Sequence, residues 1–210
     1  GCGTGLLGIA SEPFLSGDGT YIGIDVSEED IAFCRSHYPS ENYEFRHSVA
    51  PNPHYAPEQS STPIPWDIQN DSADMVTALS VRTHLNEHDA LFNFQELSRV
   101  LKPSAKAIIT FFYLDDDYQC SLEGRTSDLG KFHNSPQEQW VFDTSCYGSD
   151  AWFHPSWVKK PEAAIGLTSE GLDRLLESTN LKLVEHFPGN RKEKPDLFFQ
   201  DIMVFEKLPL

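Results

Sequence analysis

The sequence predicts an α/β fold: a three-layer sandwich built on a mostly parallel central sheet, with one antiparallel strand near the C-terminus. Three observations predict it. Helix-like and strand-like patterns alternate through the first half of the chain, which is how βαβ units read. The strand-like runs are short and apolar, as strands covered on both faces are. A glycine-rich turn, Gly1 to Gly5, stands directly before the first amphipathic stretch.

The elements follow in order. From Thr4 to about Leu15, Leu6, Leu7, Ala10 and Phe14 share one helical face. Tyr21 to Val26 is an apolar run after Gly17-Asp18-Gly19 and reads as a buried strand. Ser27-Glu28-Glu29-Asp30 reads as a helix start, with a capping serine and acids in the first turn. Asn42 to His47 is the next strand. The Pro-, Ser- and Asn-rich stretch from Ser48 to Asp71 reads as a long loop. Ala73 to Val81 reads as a central parallel strand. Asn86 to Leu101 is a helix with Ala90, Leu91, Phe94, Leu97 and Leu101 on one face, stopped by Pro103, and Ala105 to Leu114 is another buried strand.

Residues 115 to 167 break the rhythm. Tyr118, Phe132, Trp140, Phe142, Tyr147, Trp152, Phe153 and Trp157 stand there among Gly, Ser and Asp. A structureless insertion of that length is uncommon in a compact domain, so the segment is expected to be an aromatic-rich functional cap. Thr168 to Asn180 resumes as a helix with Leu172, Leu175 and Leu176 inward. Leu181 to Phe187 and Phe199 to Lys207 are the last strands, separated by the turn region Pro188 to Pro195 and able to pair antiparallel. No internal repeat or second domain is evident, so residues 1–210 are expected to form one domain.

Composition narrows the function. The formal net charge of −16 repels phosphate backbones, which disfavours a nucleic-acid substrate. The one basic cluster, Arg191-Lys192-Glu193-Lys194, reads as a solvated turn. No apolar run is long enough to span a bilayer. Cys2, Cys34, Cys120 and Cys146 form no Cys-x-x-Cys pair and read as reduced thiols, which points to the cytoplasm. The sequence begins inside a motif, so residues upstream of Gly1 are expected.

The chemistry begins at that motif. Glycines in a turn let the backbone approach a ligand closely, and a helix N-terminus offers free N–H groups. Asp25 ends the following strand, where a carboxylate can accept both hydroxyls of a ribose. Glycine turn and strand-end acid together describe a site for a nucleoside-containing cofactor. Gly3-Thr4-Gly5-Leu6-Leu7-Gly8 also fits the dinucleotide fingerprint Gly-x-Gly-x-x-Gly, which taken alone is a weak signal.

The longer string resembles the first motif of class I S-adenosylmethionine (SAM)-dependent methyltransferases, and the resemblance continues in order. Gly23-Ile24-Asp25-Val26-Ser27 is similar to the family's second motif. Asn70 to Val76 is similar to the lead into its fourth strand, Ser80-Val81-Arg82-Thr83-His84-Leu85 to the segment after it, and Glu96 to Pro103 to the helix end before its fifth. Phe199-Gln200-Asp201-Ile202-Met203-Val204 resembles more weakly the last strand of some bacterial members. The resemblance implies a Rossmann-like, seven-stranded sheet and SAM as cofactor. It implies that Gly1, Cys2, Gly3, Thr4 and Gly5 pass under the methionine moiety, that Asp25 holds the ribose with Val26 beside the adenine, and that Ser80 lies near the sulfonium. Two departures stand out. The family's first strand and its acid are not in this sequence, and Ser48-Val49 stands where many members place an acid for the adenine.

Methyl transfer needs alignment and exclusion of water, and a hydroxyl acceptor also needs a base. His84 is the candidate base. Its alternative reading is a residue at a helix start, satisfied by backbone; Ser80 could likewise be a strand-end filler. His84 with His88, and Asp115-Asp116-Asp117, are weighed as metal ligands and set aside. The acceptor expected is a small molecule, sugar or lipid-linked group, methylated at oxygen without metal. Two other classes stay open: an NAD(P)-dependent oxidoreductase, and a catalytically inactive SAM-fold interaction module.

Overall fold

A computed structural model describes all residues except 16, 51, 53, 56–62, 128–134, 194–196 and 210. Phe132, Lys194 and Pro195 therefore lie outside the described residues. The chain divides into two compact units, Gly1–Trp66 and Asp67–Leu210.

The first unit holds α1 (Leu6–Ser11), β1 (Tyr21–Asp25), α2 (Glu28–His37) and β2 (Tyr43–His47). β1 and β2 pair in parallel, from Tyr21 with Tyr43 to Asp25 with His47. α2 starts where the sequence places it: the Ser27 hydroxyl accepts the Asp30 N–H, and three acids fill the first turn, where the helix dipole favours negative charge. Ile31 and Cys34 of α2 meet Phe45 of β2 in a small core rimmed by Cys2, Tyr21, Tyr38 and Tyr43. α1 differs from its prediction. It ends at Ser11 in a 3-10 turn, Glu12–Phe14, with a proline in that turn's start. Its expected inward face is outward in this unit, with Leu6 75% and Phe14 84% exposed. The apolar spacing is real, but no described strand of the unit lies against it.

The second unit is a seven-stranded mixed sheet with helices. Its elements are β3 (Ala73–Ala78), α3 (Glu87–Val100), β4 (Leu101–Tyr113), α4 (Asp116–Ser121), β5 (Phe142–Ser145), β6 (Trp152–Pro155), β7 (Gly166–Leu167), α5 (Ser169–Glu177), β8 (Leu181–Phe187) and β9 (Asp201–Lys207). The order is β5-β6-β7-β4-β9-β8, with β3 also on β4. β3 and β7 run parallel to β4, and β9 runs antiparallel between β4 and β8. β6 is antiparallel to both β5 and β7. The expectation of a mostly parallel sheet with one reversed strand is corrected to a mixed sheet. The cause is local: β5 and β6 are joined by the short turn 146–151, and so short a link permits only antiparallel pairing.

Three sequence boundaries move. β3 stops at Ala78, and within this unit it is an edge strand, with Met75 59% exposed. β4 begins at Leu101, four residues earlier than predicted, because Pro103 does not stop the chain there. The register of β3 against β4 jumps from Leu101 to Lys106. Pro103 and Ser104, the latter at φ 65°, sit inside that bulge, where a missing N–H costs no ladder bond. The segment 115–167, expected to be a functional cap, has regular strands among its described parts. They supply β5, β6 and β7, and extend the main sheet through β7 against Phe112 and Tyr113.

The core has two faces. On one, Phe94 of α3, Phe111 of β4 and Phe205 of β9 form a cluster of edge-on and tilted rings, next to Leu172 and Leu175 of α5. On the other, Phe112, Tyr118, Phe142, Val158 and Ala164 pack together with Trp140 and Phe199. Most described aromatics of 115–167 are consumed there; Tyr147 and Trp157 remain exposed. Both long helices are capped as their sequences suggest. Asn86 accepts the Asp89 N–H at 3.1 Å and Thr168 the Gly171 N–H at 3.4 Å. No helix among the described residues is long and apolar enough to cross a membrane.

Candidate functional site

In the first unit the structure brings the glycine bend and Asp25 together. The Cys2 N–H donates to the Ile24 carbonyl at 3.0 Å, and the Gly5 N–H closes the bend onto the Cys2 carbonyl at 2.9 Å. Gly3 and Gly5 both have positive φ, 50° and 84°. The two glycines are needed for different reasons. A Cβ on Gly5 would stand 2.6 Å from the Tyr38 hydroxyl, whereas one on Gly3 would project into open space. Gly5 is thus explained by packing as well as by its backbone, and Gly3 by its left-handed backbone alone.

Asp25 is nearly enclosed, its side chain 12% exposed. Its Oδ2 accepts the Gly3 N–H at 2.7 Å and its Oδ1 the Ser27 N–H at 2.9 Å. A carboxylate has about four acceptor positions. One amide on each oxygen leaves each a further lone pair for a hydroxyl. Val26 follows directly, and its carbonyl is 3.2 Å from His47 Nε2.

Residues the sequence reading did not single out hold the bend in place. The Cys34 thiol donates to the Gly3 carbonyl at 3.4 Å and the Tyr38 hydroxyl to the Thr4 carbonyl at 3.0 Å. The only sign of them in the sequence is that α2 carries a cysteine and is followed by a tyrosine. Cys2 is half-buried, and burial pushes its thiol up to about 11, so it stays protonated at neutral pH.

In the second unit, β3 and β7 occupy the same edge of β4 without meeting. β3 pairs as far as Ile109, and β7 begins at Phe112. The segment Leu79–Leu85 leaves the sheet at this divergence. Ser80 sits at φ 57°. Its N–H donates to the Thr110 hydroxyl at 2.7 Å. That hydroxyl donates to Gln200 Oε1 at 2.5 Å, and Gln200 Nε2 returns to the Ser80 hydroxyl at 3.0 Å. Two residues hold Ser80, Thr110 through its backbone N–H and Gln200 through its hydroxyl.

His84 ends a 3-10 turn, Arg82–His84, ahead of α3. Its Nδ1 is 2.7 Å from the Glu162 carbonyl oxygen. A carbonyl only accepts, so Nδ1 carries the hydrogen. His88 lies one turn into α3, 3.2 Å from Asp89 Oδ1.

The basic cluster read as a solvated turn is corrected. Arg191 and Lys192 are buried, 0% and 2% exposed. Arg191 Nη1 lies 2.6 Å from Asp201 Oδ2, and Lys192 Nζ lies 2.6 Å from Asp201 Oδ1 and 2.7 Å from Asp115 Oδ2. Burial alone would raise the Asp201 carboxyl, but Arg191, His186 and Lys192 together hold it well below the ordinary range. Asp115 caps α4 by accepting the Tyr118 N–H at 3.0 Å. Asp115, His186 and Asp201 converge as three metal ligands could. The Lys192 ammonium already bridges the two carboxylates, so that donor set fits a cation of the chain's own.

Comparison with known proteins bears on both units. Residues 1–104 match the model of a family described as a methyltransferase domain. A SAM-dependent methyltransferase from Methanosarcina mazei shares 17% identity, with 100% of this chain and 91% of that one covered and a TM-score of 0.57. One from Mesorhizobium loti shares 13%, covering 98% and 88%, with a TM-score of 0.60. The [4+2]-cyclase SpnF shares 13%, covering 99% and 73%, with a TM-score of 0.56. At such identities the likenesses show the α/β methyltransferase fold alone, and the family model matches just under half of the chain. The cofactor these matches imply is S-adenosylmethionine.

Proposed function

We propose, from the match of residues 1–104 to a methyltransferase-domain model and the fold shared with SAM-dependent methyltransferases, that this protein moves the SAM methyl group to an oxygen of a small-molecule, sugar or lipid-linked acceptor, without a metal. The observation that carries the cofactor half is the Asp25 carboxylate, anchored to the bend through Gly3 and Ser27 N–H groups with lone pairs to spare. In this reading Gly1, Cys2, Gly3, Thr4 and Gly5 bind the methionine part, Asp25 the ribose hydroxyls and Val26 the adenine. Ser80, immobilised by Thr110 and Gln200, borders the sulfonium. We read residues 1–210 as one methyltransferase domain working in the cytoplasm. The charge of −16 supports a small acceptor over a nucleic acid.

The bound cofactor supplies an electrophilic methyl group, and the chain's own residues supply position and a proton acceptor. His84, oriented by its Nδ1–H on the Glu162 carbonyl, is the proton acceptor in this reading. It takes the acceptor hydroxyl's proton as oxygen attacks, a step typically worth ~10²–10⁴-fold. Equilibrium dialysis with labelled SAM, with NAD in parallel, tests the cofactor. Wild type is expected to bind SAM and not NAD, and Asp25→Ala to weaken SAM binding more than tenfold. NAD binding in place of SAM would support an oxidoreductase instead. An acceptor screen on the SAM-binding protein then separates an enzyme from an inactive module.

A further inference from the structure

Several buried cations of the second unit stand against carboxylates. Arg191 and Lys192 meet Asp201, and Lys207 meets Asp71 at 2.6 Å. Arg82 breaks the pattern. It is 4% exposed, yet its Nε and Nη1 have no hydrogen-bond partner, and the Oγ1 of Thr83, 0% exposed, has none either. The guanidinium lies over the Phe94 ring at 5.7 Å, a contact that contributes attraction without satisfying an N–H. Burial lowers its pKa to about 10 with no carboxylate opposing the shift, so it remains charged at neutral pH. A buried, uncompensated cation and a buried, unused hydroxyl on successive residues are both costly, and unsatisfied groups of this kind ask for an explanation.

Their position supplies one. Arg82 and Thr83 belong to the segment leaving β3 where β3 and β7 part along β4, and the Ile165 N–H ahead of β7 is tied to the Thr83 carbonyl at 2.7 Å. Leu79 and Ser80, just before, are exposed. Ligands of α/β sheets bind where strands diverge at their carboxyl ends. A guanidinium and a hydroxyl on successive residues, both short of hydrogen-bond partners, can donate to an oxyanion.

We infer that Arg82 and Thr83 are the anchor for an oxyanion group, carboxylate or phosphate, carried by the methyl acceptor. The anion rests on these two residues; its belonging to the acceptor rests on the methyltransferase reading. In a protein of charge −16, such an anchor also gives an anionic acceptor a local reason to approach.

The test is calorimetric titration and thermal unfolding with inorganic phosphate and with benzoate, against chloride at equal ionic strength. Wild type is expected to be protected saturably by at least one, and the one that protects identifies the group. Arg82→Met should weaken that response at least tenfold. Thr83→Val should weaken it several-fold. Arg82→Lys, which keeps the charge but loses the fork, should fall between and guards against a misfolded Met variant. No saturable protection of wild type beyond chloride, or equal responses from wild type and both Arg82 variants, would overturn the anchor. SAM dialysis separates the two claims. Wild type and Arg82→Met should bind SAM alike, and a wild type that binds phosphate or benzoate but not SAM would sink the methyltransferase reading alone.

Discussion

Replacing Asp201 by Asn removes the negative charge on which two buried cations depend. The carboxylate is fully buried, 2.6 Å from both Arg191 Nη1 and Lys192 Nζ and 3.1 Å from His186 Nε2, and it also accepts the Tyr113 N–H at 3.0 Å. The amide keeps the shape and loses the charge. Lys192 retains Asp115 and Arg191 retains the Tyr113 carbonyl at 2.6 Å, so neither is wholly stranded. Breaking a buried ion pair by removing one partner costs about 3–5 kcal/mol. For a chain of this size that corresponds to a fall in melting temperature of about 6–20 °C. Urea unfolding followed by tryptophan fluorescence reads it directly, because Trp152 is buried in the same unit. The triple change R191M, K192M and D201L removes all three charges together and is expected near wild type. A cost below about 1 kcal/mol for D201N, or a triple variant weaker than D201N, would refute the reasoning. The pH dependence has a fixed sign. The folded carboxyl lies below its unfolded value of about 3.9, so its contribution is complete above that value and is lost as the pH falls through the folded one. The gap between wild type and D201N should therefore persist from neutral pH to about 4 and close only in stronger acid.

Other consequences can be checked alongside. Gly5→Ala meets the Tyr38 hydroxyl at 2.6 Å from a backbone at φ 84°, and should cost at least ~1–3 kcal/mol in chemical unfolding. Gly3→Ala has no such clash; it should cost less stability while lowering SAM affinity in dialysis. Asn86→Ala removes the α3 cap and should cost about 1 kcal/mol by urea midpoint, without altering SAM binding. Gln200→Ala breaks both of its bonds to the Ser80 anchor. At ~0.5–1.5 kcal/mol per hydrogen bond it should cost ~1–3 kcal/mol and speed amide hydrogen exchange at Ser80.

Local signals in the sequence located local structure. Ser27, Asn86 and Thr168 mark helix starts because a cap is a contact within three residues. The Gly1–Gly5 bend and Asp25 were readable as a pair because a strand and its parallel neighbour repeat at a known spacing. What escaped depends on distant partners. Arg191 and Lys192 look solvated until Asp201 and Asp115 are placed beside them, the latter 77 positions away in sequence. Pro103 follows the end of α3 as read, but that β4 already begins at Leu101 shows only when the β3 register places Pro103 in a bulge of β4. The aromatics of 115–167 resembled a pocket lining because core and pocket draw on the same residue types. Thr110 and Gln200 carried no signal at all: a hydroxyl and an amide that fix Ser80 look like any others until strands 90 residues apart are paired.

The placement of β9 between β4 and β8 has a bearing on how the chain is made. β4 waits through some ninety residues for the strand that covers its second edge, and β8 pairs only with that same latecomer. Loops that long are slow to close. During synthesis the apolar flank of β4, Ala107 to Phe111, therefore stays open until Asp201–Lys207 has left the ribosome. In that interval the nascent chain presents an unprotected strand edge of the kind that draws chaperones or stray partners.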